Sequence, residues 1–369
     1  MVYNQYYSLI AKLRATGILR DPKERRFSMR TTVNNSLAGM NRREFLGGTA
    51  GALLLGLGGS LLAPARAFAQ KKYIVGIVNT GTSAIPSAII REMHLDAKYG
   101  VNLEFKNFDD LNAQHTQFLL GKTDMTGAFA LISGALGRLE GRPVQYVSPN
   151  NQNHTCLITR TDAPYKRMED LFGKNVGWFD LPSEASAGLL MIAQAKGIDA
   201  QKQFRLRKVT PPLSAALVEK GDLDAGLAIE ASLSKLLATG KYKIIGKPFF
   251  REWKEITGYT LFPVGGLGAR EDTIRNDRAA IVAFIKARNE ALELFTKDIK
   301  GFLQKDWIKK ALGLNTEKEI EIASERIKDT FLWNWGPNGE KEAEFYLQQA
   351  VKVGILKRYP DGFLNPISA

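Results

Sequence analysis

The chain holds a single cysteine, Cys156, among 369 residues. That excludes an intramolecular disulfide framework, a Cys-ligated zinc site and a cysteine-held iron–sulfur cluster. Histidine is nearly as scarce: His94, His115 and His154 leave little for a His-rich metal centre. Beyond residue 69 there is no Gly-x-Ser-x-Gly elbow, His-Glu-x-x-His pair or phosphate-loop sequence, so the commoner hydrolase, zinc-protease and nucleotidase signatures are missing. What is present is ordinary globular material, 44% hydrophobic and 24% charged, which excludes a disordered or collagen-like chain. The length suggests about two domains. Fifty-one basic against 38 acidic residues give a net charge of +13, at first sight a nucleic-acid signal.

The charge is unevenly placed. Residues 40–70 begin Met-Asn-Arg-Arg-Glu-Phe-Leu and end Ala-Arg-Ala-Phe-Ala-Gln, and the 21 residues between Glu44 and Arg66 are uncharged, six of them glycine. A basic start, a weakly apolar core and a small-x-small exit are the three parts of an export signal. Arg42 and Arg43 ahead of Phe45-Leu46 resemble the twin-arginine version. Cleavage is expected after Ala69, with an uncleaved anchor as the alternative. Residues 1–39 precede the natural start of such a signal and are expected to be either untranslated or a long n-region. They carry +5 and residues 40–69 carry +2, which leaves +6 on residues 70–369. That mild excess attracts small anions by its field and is no nucleic-acid footprint.

Beyond residue 70 the pattern alternates strand and helix. Tyr73–Val78 is an apolar, β-branched run. It stops at Asn79-Thr80-Gly81-Thr82-Ser83, and a helical pattern with Pro86 in its first turn follows. Val101–Phe105 alternates as a second strand, a helix ends at Gly121, and Asp124–Ala128 opens a third strand. The order repeats about a hundred residues later with Asn175–Phe179, a helix opened by Ser183-Glu184-Ala185-Ser186, Phe204–Val209, a helix ended by Gly221, and Asp222–Ala228. Such alternation predicts an α/β fold of two similar lobes with mostly parallel sheets. Residues 277–369 are dominated by helix and are expected to pack around a lobe. Gly265-Gly266-Leu267-Gly268 is expected to give flexibility where the chain returns to lobe one.

Four segments in order carry a resemblance: Tyr99-Gly100-Val101, Leu120-Gly121-Lys122-Thr123-Asp124, Asp170–Val176 and Glu219–Ala225. Together, behind an export signal, they resemble the nitrate/sulfonate/taurine branch of ABC-transporter substrate-binding proteins, which also contains binders of thiamine-pyrimidine precursors. Ile229–Lys235 resembles that branch's Trp-Glu-Pro segment, with Ala228 and Ala231 in place of Trp and Pro. The resemblance implies a type II-like periplasmic-binding-protein fold: two lobes, mixed mostly parallel sheets flanked by helices, and a hinge. Lobe one would comprise 70–160 and 258–369, and lobe two 161–257. It further implies a monomer without a cofactor that captures a small molecule in the interlobe cleft and delivers it to a membrane permease, after export by the twin-arginine translocase to the periplasm.

Ligand sites in open parallel sheets lie beyond the carboxyl ends of the strands. There, Thr80, Gly81, Thr82 and Ser83 offer amides, hydroxyls and a positive helix end suited to an oxyanion. Gly127 and Ala128 allow close approach, and Phe129 could cover an apolar part of the ligand. Ser183, Glu184 and Ser186 face them from the second lobe, with Trp178 and Glu230 as further candidates. Plain helix capping is the competing reading for the hydroxyl residues, and strand packing for Trp178. His154 could also line the cleft. A sulfonate-like anion is favoured; a nitrogen heterocycle is the alternative if both glutamates face the cleft. An exported enzyme of the same fold is the alternative of another class.

Overall fold

The computed structural model describes residues 71–332 and 334–369. Arg42, Arg43, the cleavage position and residues 1–39 lie outside the described residues. The first sheet has the order β2-β1-β3-β10-β4, with β1 Lys72–Val78, β2 Asn102–Phe108, β3 Met125–Phe129, β4 Val144–Gln152 and β10 Pro263–Arg270. The second has the order β7-β6-β8-β5-β9, with β5 Cys156–Arg160, β6 Asn175–Trp178, β7 Arg205–Lys208, β8 Ala225–Ala228 and β9 Tyr242–Ile245. The two sheets follow one plan. In each, a parallel trio built by helical crossovers (β2-β1-β3, β7-β6-β8) is followed by one reversed strand (β10, β5) and then by an outer strand (β4, β9) that again runs with the trio.

Four of the five strands in each sheet thus run the same way, as the mixed, mostly parallel expectation has it, and the reversed one is the strand exchanged between lobes. The chain leaves the first sheet at Gln152 and enters the second at Cys156, a few residues ahead of the 160/161 boundary drawn from the sequence. It returns after β9 to enter the first sheet as β10. A strand that comes from the other lobe, with no crossover helix over its own sheet, runs against its neighbour.

Among the described residues the helices of seven or more residues are α1 Ala84–Glu92, α2 Leu111–Leu119, α3 Leu131–Leu139, α4 Glu184–Ala195, α5 Pro211–Lys220, α6 Ser232–Ala238, α7 Phe249–Thr257, α8 Glu271–Lys297, α9 Asp306–Leu312, α10 Glu317–Ile327 and α11 Gly339–Lys352. Among the described residues none is long and apolar enough to cross a membrane. The C-terminal helices do more than pack around one lobe. Helix α11 puts Tyr346, Leu347 and Ala350 into a core that also holds Tyr146 of the first sheet and Leu227 of the second. Helix α10 lies against α6 of the second lobe.

The glycine-rich run 265–268 is the middle of β10 and gives closeness rather than flexibility. A Cβ on Gly268 would lie 2.4 Å from the Phe129 ring, and one on Gly266 2.2 Å from the Tyr146 hydroxyl. Only glycine lets these two aromatic side chains lie flat on the strand. Phe129 is accordingly fully buried among Phe118, Tyr146 and Phe363.

Candidate ligand-binding site

A cavity of about 390 Å³ lies where the carboxyl ends of β1 and β3 face the loop after β8. Its first wall is the turn Thr80–Ser83. Strand β1 ends in the bulky apolar Ile77-Val78, and the chain then turns through Gly81 at a φ of +80°, a conformation that suits glycine. The Gly81 amide is already used, donating to the Ala311 carbonyl at 3.1 Å. The next two amides, Thr82 and Ser83, have no hydrogen-bond acceptor among the described residues, because the helical ladder begins only with Ala84 and Ile85. Ser83 does not cap its helix; its hydroxyl donates to Asn151 Oδ1 at 3.4 Å. The first turn of α1 therefore presents open donors and a positive helix end to the cavity.

The second wall is Ile229–Ser232 with Lys235, and His154 lies beside it. The Glu230 side chain is fully buried. One of its oxygens pairs with the Arg326 guanidinium, and the other accepts from Ser234 N at 3.2 Å and Ser234 Oγ at 2.6 Å. His154 Nδ1 lies 3.0 Å from the Gln152 carbonyl, and burial pushes the imidazole below its ordinary 6.5, so the ring is neutral in neutral solution.

The third wall was not foreseen in the sequence: Lys310 to Gly313, the end of α9, closes over the turn at Gly81. Lys235 and Lys310 have no carboxylate partner among the described residues. Asp110 at the mouth is occupied as the N-cap of α2, accepting from Ala113 N at 2.9 Å. Val78, Leu111, Ala128, Ile229, Val264 and Leu312 supply apolar surface between these polar groups. Among the described residues no group of three His, Cys, Asp or Glu side chains could hold a metal ion.

Of the residues singled out in the sequence, Thr80, Gly81, Thr82, Ser83, Ala128 and Glu230 line this cavity, as does His154. The others are placed elsewhere. Gly127 is buried in β3, where its carbonyl accepts from Asn150 Nδ2. Phe129 packs in the aromatic core. Trp178 packs on the core at the end of β6. The Ser186 hydroxyl donates to the Phe179 carbonyl and accepts from the Phe179 amide, closing the turn from β6 into α4. Ser183 starts that helix without a side-chain cap. Glu184 is buried away from the cavity lining, where it accepts from Ile132 N of α3 and from the Tyr346 hydroxyl of α11. Burial pushes its carboxyl up to about 8, against the pull of those two donors, so it is largely uncharged at neutral pH.

The family whose sequence model matches residues 92–301 is described as the periplasmic substrate-binding protein of phosphonate ABC transporters. The chain belongs to this family. Solved structures with the same fold include the periplasmic aliphatic sulphonate binding protein SsuA of Escherichia coli. It shares 15% identity over 78% of this chain and 89% of that one, with a TM-score of 0.66. The alkanesulfonate-binding protein SsuA of Xanthomonas axonopodis pv. citri, bound to MOPS, gives 14%, 81%, 100% and 0.66 in the same order. The nitrate-binding protein NrtA of Synechocystis PCC 6803 gives 16%, 78%, 83% and 0.57. No curated protein matches the chain in sequence. As a periplasmic substrate-binding protein, the chain serves an ABC importer by binding a small molecule and passing it to the permease.

Proposed function

We propose that the bound molecule is a small organic oxyanion, of sulfonate type, carrying a short apolar substituent. The observation that carries this reading is an imbalance of partners: Lys235, Lys310 and the Thr82 and Ser83 amides are open, whereas Glu230 is paired. Charge-assisted hydrogen bonds from such donors are about twice as strong as neutral ones. The apolar side chains beside them accept an alkyl or aryl group. The family's phosphonate description and the sulfonate and nitrate binders of the same fold support an oxyanion as the class of ligand. The nitrogen heterocycle loses its main support, since neither Glu184 nor Glu230 offers a free carboxylate to the cavity.

In this reading the protein works as a monomer and catalyses no reaction. The permease receives the ligand after the lobes hinge apart, with the lobe boundary at the 152–156 and 245–263 crossings. Export would use Arg42 and Arg43 through the twin-arginine translocase, with cleavage after Ala69. A thermal-shift series with ethanesulfonate, methylphosphonate, nitrate, an amino acid and a pyrimidine tests the ligand class. Ligand at a hundred times its Kd stabilises by about 2.7 kcal/mol. Ethanesulfonate is expected to give the largest shift; a shift with the pyrimidine alone, or turnover of any of the five, overturns the reading.

A further inference from the structure

Glu230 is the cavity's one fully buried carboxylate, and its counter-ion stands outside the cavity. Arg326 sits on α10, far along the chain, and is not among the lining residues. Its Nε reaches Glu230 Oε1, its Nη2 lies 3.6 Å from Cys156 Sγ, and its side chain is 17% exposed. The remaining Glu230 oxygen is taken by Ser234. No further cationic side chain contacts that carboxylate among the described residues. His154 beside it is held neutral by burial. Charge compensation of Glu230 therefore rests on Arg326.

We propose that Arg326 is a positioning residue that sets the charge selectivity of the cavity from behind its wall, cancelling the Glu230 carboxylate so that an anion can enter. The proposal rests on the oxyanion reading above. With Arg326 in place, Lys235 and Lys310 act on the ligand unopposed by Glu230. Without it, a carboxylate buried behind the wall is left uncompensated beside the anion, and at that depth salt screens its charge far less than at the surface. Unit charges within a nanometre of each other in a protein interior shift an affinity by roughly tenfold or more.

The test measures ethanesulfonate affinity by titration calorimetry for the wild type, Arg326→Gln, Glu230→Gln and the double variant, with thermal melts as the check on folding. Arg326→Gln is expected to bind at least about tenfold more weakly. Glu230→Gln, which leaves Arg326 as an uncompensated cation, is expected to bind more tightly than the wild type. The double variant is expected to return to within about threefold of the wild type. A structural role alone would make the double variant the weakest binder, and that result overturns the proposal. So does wild-type affinity in Arg326→Gln. If Arg326→Gln fails to fold, Glu230→Gln decides: unchanged or weaker binding overturns the proposal, and tighter binding supports it. A wild type that ignores ethanesulfonate while binding the pyrimidine overturns the oxyanion reading and this proposal together, whereas a wild type that binds it with no opposite-signed effects overturns this proposal alone.

Discussion

Glu184 joins α4 of the second lobe to Ile132 of α3 and Tyr346 of α11, and its carboxyl is raised from 4.5 to about 8 by burial. The folded protein therefore holds a proton there that the unfolded chain has released. The corresponding stability is full below pH 4.5 and is lost as pH rises through 8, by about 5 kcal/mol in all at 1.36 kcal/mol per unit. Part of that window is masked. His115, buried and held at about 4, binds its proton more weakly in the folded state than in the unfolded one, as does His154. Their stability is lost as pH falls below 6.5, so it opposes the Glu184 trend on the acid side. Between pH 6.5 and 8.5 Glu184 contributes a loss of about 2 kcal/mol, and the two histidines, still half protonated in the unfolded chain at pH 6.5, return up to about 0.8 kcal/mol, so the expected net loss is about 1 kcal/mol. Urea unfolding of the wild type and Glu184→Gln at half-unit steps over this window is the assay, with ΔG in water taken by linear extrapolation. The amide variant keeps an acceptor for Ile132 N and adds no charge, so its stability should not fall and should rise only by the histidines' share, at most about 0.8 kcal/mol. A wild-type stability that does not fall, or a Glu184→Gln variant that falls equally, refutes the reasoning.

Three further outcomes are expected. Gly268→Ala should destabilise by about 1–3 kcal/mol in chemical unfolding, because its methyl group collides with the Phe129 ring and with Thr126 Cγ2 at 2.9 Å; a neutral result would mean that β10 is not packed against those rings. Phe129→Leu should lower stability while leaving ethanesulfonate affinity within about threefold, as follows for a core residue; a selective loss of binding would place its ring on the ligand. Cys156, buried with its thiol pushed up to about 12, should react with a disulfide reagent only as fast as the protein unfolds, so rapid labelling under native conditions would contradict its burial.

The parts of the site that could be read in the sequence are those built by neighbouring residues. Thr80–Ser83 reach the cavity because a strand ending at Val78 and a helix starting at Ala84 leave only that turn to lie at the strand's carboxyl end. Glu230 follows β8 by the same logic. The parts that could not be read depend on contacts distant in the chain. Lys310–Gly313 reach the cavity because α9 docks on α1, and the pairing of Gly81 N with Ala311 O leaves no periodic trace in either segment. Phe129 reads as a ligand cover until Gly268 and Gly266 are seen to make room for the aromatic side chains around it. Glu184 reads as a ligand residue facing the cleft, yet its side chain is claimed by Ile132 N and by Tyr346, 162 positions later. The two-lobe plan is legible as a repeat, and so is the return of the chain to lobe one, but that the return is a strand between β3 and β4 is not, since the glycines of β10 read as a flexible link.

The exchange of β10 has a consequence for how the protein is made. On the ribosome, β3 and β4 emerge early, yet they do not pair with each other; β10, which fills the gap between them, comes only after the whole second sheet. Until Pro263–Arg270 has been synthesised, the first sheet has two open inner edges and cannot close. A nascent chain arrested anywhere before that strand is thus a substrate for chaperones and proteases, and completion of the first lobe reports that the second has already been translated.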